Sequence, residues 1–275
     1  GVKHGGWTPP YPHAPFPAES ELPGRPPVMC PGCPHRGLFY ALNRNKAVVS
    51  SDIGCYTLSV LPPLAGIDCQ VCMGASVGMA LGMERAFASS EANADKAGKV
   101  VCVLGDSTFI HSGITGLIDM VYNNTISTIV ILDNRTTAMT GFQDHPGTGI
   151  TLRGEETHAL DLVELCRAIG VESVRVVDPW DLELTESVLR EEMESPRTSV
   201  VISRRACVLR ERRSGVVYKV VDEECTGCKR CLRLGCPALV MRGDKAVVQE
   251  DLCVGCSLCA QVCRPGALVE VRTDD

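Results

Sequence analysis

The 275-residue sequence predicts an α/β protein: a doubly wound parallel sheet followed by a small cysteine-rich α+β domain. Three observations lead there. Between residues 37 and 204, short β-branched runs alternate with longer stretches of helical period, the order that successive βα units produce. Strands such as Ile-Val-Ile-Leu at 129–132 are apolar without alternation, as a sheet buried on both faces requires. In about the last fifty residues, Cys recurs at three-residue intervals in two separate combs.

Taken in order, residues 1–29 hold Pro9, Pro10, Pro12, Pro15, Pro17, Pro23, Pro26 and Pro27. They read as an extended strap lying on a partner, and a start inside such a strap implies a larger polypeptide or companion subunit. Residues 30–212 form the sheet domain. Strands are expected at 47–50, 100–104, 126–133, 173–177 and 198–203, where β-branched residues concentrate. Helices are expected at 37–43, 74–89, 112–122, 159–169 and 182–194. Residues 213–275 form the second domain.

That domain is an internal repeat of about twenty-eight residues, with Cys225, Cys228, Cys231 and Cys236 answered by Cys253, Cys256, Cys259 and Cys263. Each half is too small to bury a core, so metal has to staple it. The pattern resembles a bacterial-type two-cluster ferredoxin domain, in which the fourth Cys of each run ligates the other cluster. Cluster I then takes Cys225, Cys228, Cys231 and Cys263; cluster II takes Cys253, Cys256, Cys259 and Cys236. Two departures stand out: four residues separate Cys231 from Cys236, and Arg264 lies between Cys263 and Pro265. Cluster II is therefore read as [4Fe–4S] or, without Cys236, as [3Fe–4S].

Sixteen Cys with no hydrophobic leader point to a reducing cytoplasm, where clustered thiols mean metal rather than disulfides. No apolar run approaches the ~18 residues of a membrane helix. A formal charge of −6 without a basic patch speaks against nucleic acid.

Ligands of open α/β sheets sit beyond the strand carboxyl ends. The strand at 100–104 runs into Gly105-Asp106-Ser107, and that at 126–133 into Asn134-Arg135-Thr136. Magnesium is held by one or two carboxylates plus diphosphate oxygens, so Asp106, the Asn134 amide and the Thr136 carbonyl form a candidate set. A Gly-Asp followed nearly thirty residues later by Asn is the thiamine diphosphate spacing. A helix expected from about Ser112 would aim its amino end at the same crevice. Cys72, Met73 and Gly74, opening the 74–89 helix, are expected to line or underlie the cleft, with Cys102 and Cys166 as buried small hydrophobes. No Gly-x-Gly-x-x-Gly follows a strand, which removes the dinucleotide alternative. Cys30 and Cys33, Cys55 and Cys207 lie on three separate loops at one sheet edge; a third cluster, a zinc site and a thiol redox pair at Cys30/Cys33 are the readings left open.

Taken together, Cys-Pro-Gly-Cys-Pro-His-Arg-Gly (30–37), Asp-Ile-Gly-Cys-Tyr-Thr (52–57), Cys-Met-Gly-Ala-Ser (72–76), Gly-Asp-Ser-Thr-Phe-Ile-His-Ser-Gly-Ile (105–114), the 132–149 segment and the ferredoxin repeat resemble one family. It is that of the indolepyruvate:ferredoxin oxidoreductase alpha subunits, in their carboxy-terminal half. The resemblance implies a thiamine-diphosphate-binding fold. The reaction it implies turns an aryl pyruvate and coenzyme A into acyl-coenzyme A and carbon dioxide, with electrons passing to ferredoxin. It also implies a proximal third [4Fe–4S] cluster on Cys30, Cys33, Cys55 and Cys207. Arg36, His111 and His145 become candidates for substrate or proton contacts. The family's pyrimidine-binding domain is absent from these residues, so a partner chain carrying it, with a gamma-type subunit, is expected. Two other readings are an electron-transfer subunit with a non-catalytic thiamine domain, and a non-oxidative thiamine enzyme, such as a decarboxylase, fused to a regulatory ferredoxin.

Overall fold

The computed structural model describes residues 27–211 and 215–272, so nearly all of the strap expected at 1–29 lies outside the described residues. α1 (Pro34–Arg44) begins three residues before its expected start because Pro34 suits the first helical turn. The parallel sheet has six strands in the order β2-β1-β3-β4-β6-β5: β1 (Val48–Ser51), β2 (Cys69–Gln70), β3 (Val100–Gly105), β4 (Thr128–Asp133), β5 (Ser173–Val177) and β6 (Ser199–Arg204). Five were expected. The sixth, β2, is a two-residue edge strand, too short to leave a pattern.

Strand residues alternate between two cores, as a doubly wound sheet demands. Val101, Val103, Val130 and Leu132 pack on Leu38, Phe39 and Leu42 of α1 and Leu189 of α6 (Leu182–Met193). Val100, Cys102, Leu104, Ile129 and Ile131 pack on the opposite face with Val77 of α2 (Ala75–Ala88), Leu117 and Cys166. α5 (Leu162–Ile169) starts three residues later than expected, because the Asp161 carboxylate accepts the Val163 and Glu164 N–H groups.

One boundary is corrected more consequentially. The helix expected from Ser112 begins at Asp106, as α3 (Asp106–Thr108), a π turn (Phe109–Gly113) and α4 (Ile114–Tyr122) in one run. Extended backbone at Gly105 leads directly into it, so Asp106 sits in the first turn rather than in a loop ahead of it.

The small domain pairs β7 (Val216–Val220) with β10 (Leu268–Arg272) and β8 (Leu239–Arg242) with β9 (Lys245–Val248), both antiparallel, with the short α7 (Leu258–Gln261). It is fastened to the sheet domain. Gln261 bridges the Leu182 N–H and the Trp180 carbonyl (2.9 and 2.6 Å), Leu234 and Leu258 share an apolar cluster with Trp180, Leu182 and Val208, and within the sheet domain the Trp180 indole N–H donates to the Gly32 carbonyl (3.1 Å). Gly37 lets α1 approach the Trp180 turn, where a Cβ would lie 1.9 Å from the Pro179 carbonyl oxygen, and leaves room for Leu258 of the small domain, whose Cδ2 would stand 3.2 Å from it.

Candidate functional site

The carboxyl ends of β1, β3 and β4 open on a cleft of about 660 Å³, whose walls include His35, Cys55, Tyr56, Met73, Asp106 and Asn134. Gly105, Ser107 and Thr136 line it too. The structure thus gathers Gly105, Asp106, Ser107, Asn134 and Thr136, two separate strand ends in the sequence, around one space. Asp106 is 3% exposed; its Oδ2 accepts the Arg135 N–H (3.0 Å) and its Oδ1 the Ser107 N–H (2.8 Å). The Asn134 Oδ1 accepts the Thr136 N–H at 3.2 Å.

His145 approaches the same carboxylate. Its Nδ1 accepts the Gly147 N–H (3.2 Å), which places the ring proton on Nε2, 3.2 Å from Asp106 Oδ2. That contact lacks hydrogen-bond geometry, and Nε2 is buried without a partner. Among the described residues no Lys or Arg pairs with Asp106. A buried carboxylate with no Lys or Arg beside it calls for a cation, so the donor set suits a divalent metal ion carrying a diphosphate.

The amino end of α2 is held by a residue that the sequence offered only inside a motif. Asp52, at the end of β1, accepts the Gly74 and Ser76 N–H groups at 2.7 and 2.8 Å. Burial pushes its carboxyl up, and these bonds counter the push. Gly74 adopts φ 89°, and a Cβ there would meet Ser112 Cβ at 2.6 Å. Met73 faces the cleft, whereas Cys72 is exposed and outside its lining.

Of the candidate proton and substrate contacts, only His145 comes close to a cleft residue, Asp106, and it does not itself line the cleft. His111 is exposed at the rim, bonded through Nδ1 to the Ser112 hydroxyl at 2.6 Å. Arg36 is a correction: it is 2% exposed and turned away, donating to the carbonyls of Leu234 (2.7 Å), Met29 (2.8 Å) and Cys30 (3.2 Å). Its helical neighbour His35 takes the cleft position instead. Burial holds the His35 imidazole down to about 4, so it is neutral, with Nε2 3.3 Å from the Asn134 amide nitrogen. Tyr56 stacks edge-on against His35, and its hydroxyl accepts the Gly105 N–H at 3.1 Å. Both residues stood in quoted motifs; their direction relative to the sheet carried no sequence signal.

The cysteines fall into separate groups. Cys225, Cys228, Cys231 and Cys263 line one small pocket. Cys236, Cys253, Cys256 and Cys259 line another, so the longer spacing before Cys236 still delivers it to the second comb. Burial raises the Cys256 thiol to about 11, with its neighbours Cys236 and Cys253 adding to the rise and Arg36 opposing it. The third set also meets. Burial drives Cys33 up to about 12, with Cys30 and Cys55 pushing the same way, while Cys55 is raised by burial and then by Cys207 and Cys30. Cys55 lines the cleft, and the Cys207 N–H donates to the Asn134 carbonyl at 3.0 Å. Among the described residues no three Cys, His, Asp or Glu side chains close on one ion-sized point. A cubane asks less of them, since it meets its thiolates at separate corners.

Comparison with known proteins agrees with this geometry. Residues 52–203 match the family described as thiamine pyrophosphate enzyme, C-terminal TPP binding domain, and residues 246–269 match the 4Fe-4S binding domain. The indolepyruvate oxidoreductase subunit IorA of Archaeoglobus fulgidus is 41% identical over 266 residues, covering 93% of this chain and 41% of that protein. The IorA subunit of Thermococcus kodakarensis is 44% identical over 260 residues, covering 88% and 40%. The chain thus spans about two fifths of the length of these relatives. A 2-oxoglutarate:ferredoxin oxidoreductase from Magnetococcus marinus superposes with a TM-score of 0.57 at 20% identity, over 66% of this chain and 65% of that one, a likeness of fold. No helix among the described residues is long and apolar enough to cross a membrane. The chain belongs to the thiamine pyrophosphate enzymes, carrying their C-terminal TPP-binding domain joined to a 4Fe-4S binding domain, and it corresponds to the carboxy-terminal region of the indolepyruvate oxidoreductase IorA subunits.

Proposed function

We propose that this chain is the diphosphate-binding and electron-exit part of a 2-oxoacid:ferredoxin oxidoreductase acting on an aryl pyruvate with coenzyme A. One observation carries the reading: the Asp106–Asn134–Thr136 cleft shares a wall, through Cys55 and the Cys207–Asn134 bond, with cysteines that lead on to the ferredoxin hairpins. A merely regulatory ferredoxin has no need of that continuity, and a non-catalytic thiamine domain has no need of a buried, uncompensated Asp106.

Magnesium would be held by the Asp106 carboxylate, the Asn134 amide oxygen and the Thr136 carbonyl, with Gly105, Ser107, Met73 and Gly74 shaping the wall around the diphosphate. Thiamine diphosphate, when bound, supplies the carbon nucleophile for the 2-oxo group and keeps the electrons that loss of carbon dioxide leaves behind. The chain's residues do the rest. His145 presents an Nε2 proton beside the metal carboxylate, neutral His35 orients the Asn134 amide, and Tyr56 pins the Gly105 turn. Cys30, Cys33, Cys55 and Cys207 would carry the first [4Fe–4S] cluster, Cys236, Cys253, Cys256 and Cys259 cluster II, and Cys225, Cys228, Cys231 and Cys263 cluster I. Arg36 is not available to a substrate carboxylate.

The carboxylate that activates the thiamine aminopyrimidine, and the gamma-type subunit, belong to the remaining part of the assembly. The chain alone should therefore fail to reduce a viologen acceptor with indolepyruvate, phenylpyruvate or pyruvate. It should gain aryl-pyruvate-dependent, coenzyme-A-dependent reduction when the pyrimidine-binding part is supplied. Robust turnover by the chain alone would contradict this division of labour.

A further inference from the structure

Among the described residues Arg36 is the largest side chain with almost no exposure, and it is charged. Its guanidinium lies where two cysteine loops meet. Nη2 donates to the carbonyls of Met29 and Cys30, at the entrance of the first Cys loop, and Nη1 to the carbonyl of Leu234, two residues before Cys236. Gly235, at φ 67°, brings that second loop close enough that a Cβ there would stand 3.2 Å from Nη1. Arg36 also lines the cavity formed by Cys236, Cys253, Cys256 and Cys259, and its Nε is buried without a hydrogen-bond partner. Among the described residues no carboxylate pairs with it.

Burying a cation this deeply is costly unless a negative group answers it. Three carbonyls answer it in part. The remaining negative group must come from the cavity itself. A cluster held by four thiolates is anionic, and its negative charge grows by one on reduction. We propose that Arg36 is the fixed counter-charge of cluster II, holding its reduction potential above the value its four thiolates alone would give and so making it the electron-accepting step between the Cys30/Cys33/Cys55/Cys207 site and cluster I. The inference rests on reading Cys236, Cys253, Cys256 and Cys259 as cluster ligands. It makes Arg36 a positioning residue for the electron, not a contact of the substrate.

The test is an EPR-monitored redox titration of the anaerobically prepared, cluster-loaded full chain as wild type, Arg36→Gln and Arg36→Lys, with iron measured on each. At equal iron content, Arg36→Gln should depress the midpoint of one cluster so that its reduced-to-oxidised ratio at fixed potential falls about tenfold or more, which is about 59 mV for one electron. The other signals should move less, and Arg36→Lys should recover at least half of the shift. Unchanged midpoints in Arg36→Gln would overturn the proposal, as would equal shifts in both variants. Loss of one cluster's iron from both variants would also overturn it, leaving Arg36 as a strut. A wild-type chain that takes up no iron would instead overturn the cluster reading beneath it.

Discussion

One helical step separates His35 from Arg36, and that step decides which of them meets the cofactor cleft. Successive helical residues point about 100° apart, so only one of the pair can face the sheet's carboxyl edge. The sequence announces both equally, and the choice is made by how α1 is rotated on β1 and β3, which no local pattern records. Asp106 and Asn134 were legible for the opposite reason. Each follows an unbroken apolar strand, and strand ends of this fold class converge whatever the details of packing. Asp106→Asn tests what that convergence is for. The amide still offers an acceptor to the Arg135 N–H but loses the charge, so calorimetry should show Mg²⁺-dependent thiamine diphosphate binding weakened at least tenfold, about 1.4 kcal/mol. The melting temperature of the cofactor-free chain should change little, since removing a buried charge without a cation offsets the acceptor that the Ser107 N–H loses. Unchanged cofactor affinity would reduce the Gly-Asp-Ser element to a turn.

Element type was readable throughout the sheet domain, because unbroken apolar strands and periodic helices each fill a face of one of the two cores. What escaped were starts set by single side chains: Asp161 delaying α5, Pro34 advancing α1, and Gly105 launching a helix at Asp106 instead of Ser112. β2 escaped because two residues cannot show a period. The turn between β5 and α6 offers a second check. Burial pushes the Asp178 carboxyl up, but the Arg205 guanidinium and the Trp180 N–H outweigh it and leave the group below its ordinary range. Arg205 in turn stacks 3.9 Å from the Trp180 ring that anchors the small domain. A carboxyl lowered in the folded chain adds stability that is full at neutral pH and is lost as pH falls through the carboxylate range. Asp178→Asn should therefore cost about 1 kcal/mol in urea unfolding at pH 7, given its partial exposure. It should cost much less near pH 3, on the same linkage. An equal cost at both pH values would show that the pair contributes no charge term.

At the scale of the molecule, the ferredoxin repeat was plain in the sequence, and the crossing of its fourth cysteines follows from it. What the sequence withheld was the docking: Gln261, Trp180, Leu234 and Arg36 lie in different segments and meet only because the small domain sits behind the 29–36 loop. The proposed path runs from the cleft, which Cys55 lines, to Cys228, which is exposed. The account depends on the middle of this path, Cys30, Cys33, Cys55 and Cys207. Iron and EPR spin quantitation of the anaerobically loaded chain tests it directly. The account predicts about twelve irons per chain, on four per cluster, falling by about a third in the Cys30→Ser/Cys33→Ser double variant with one signal lost. About eight irons in both proteins, with identical spectra, would contradict it and break the path between the cleft and the ferredoxin hairpins.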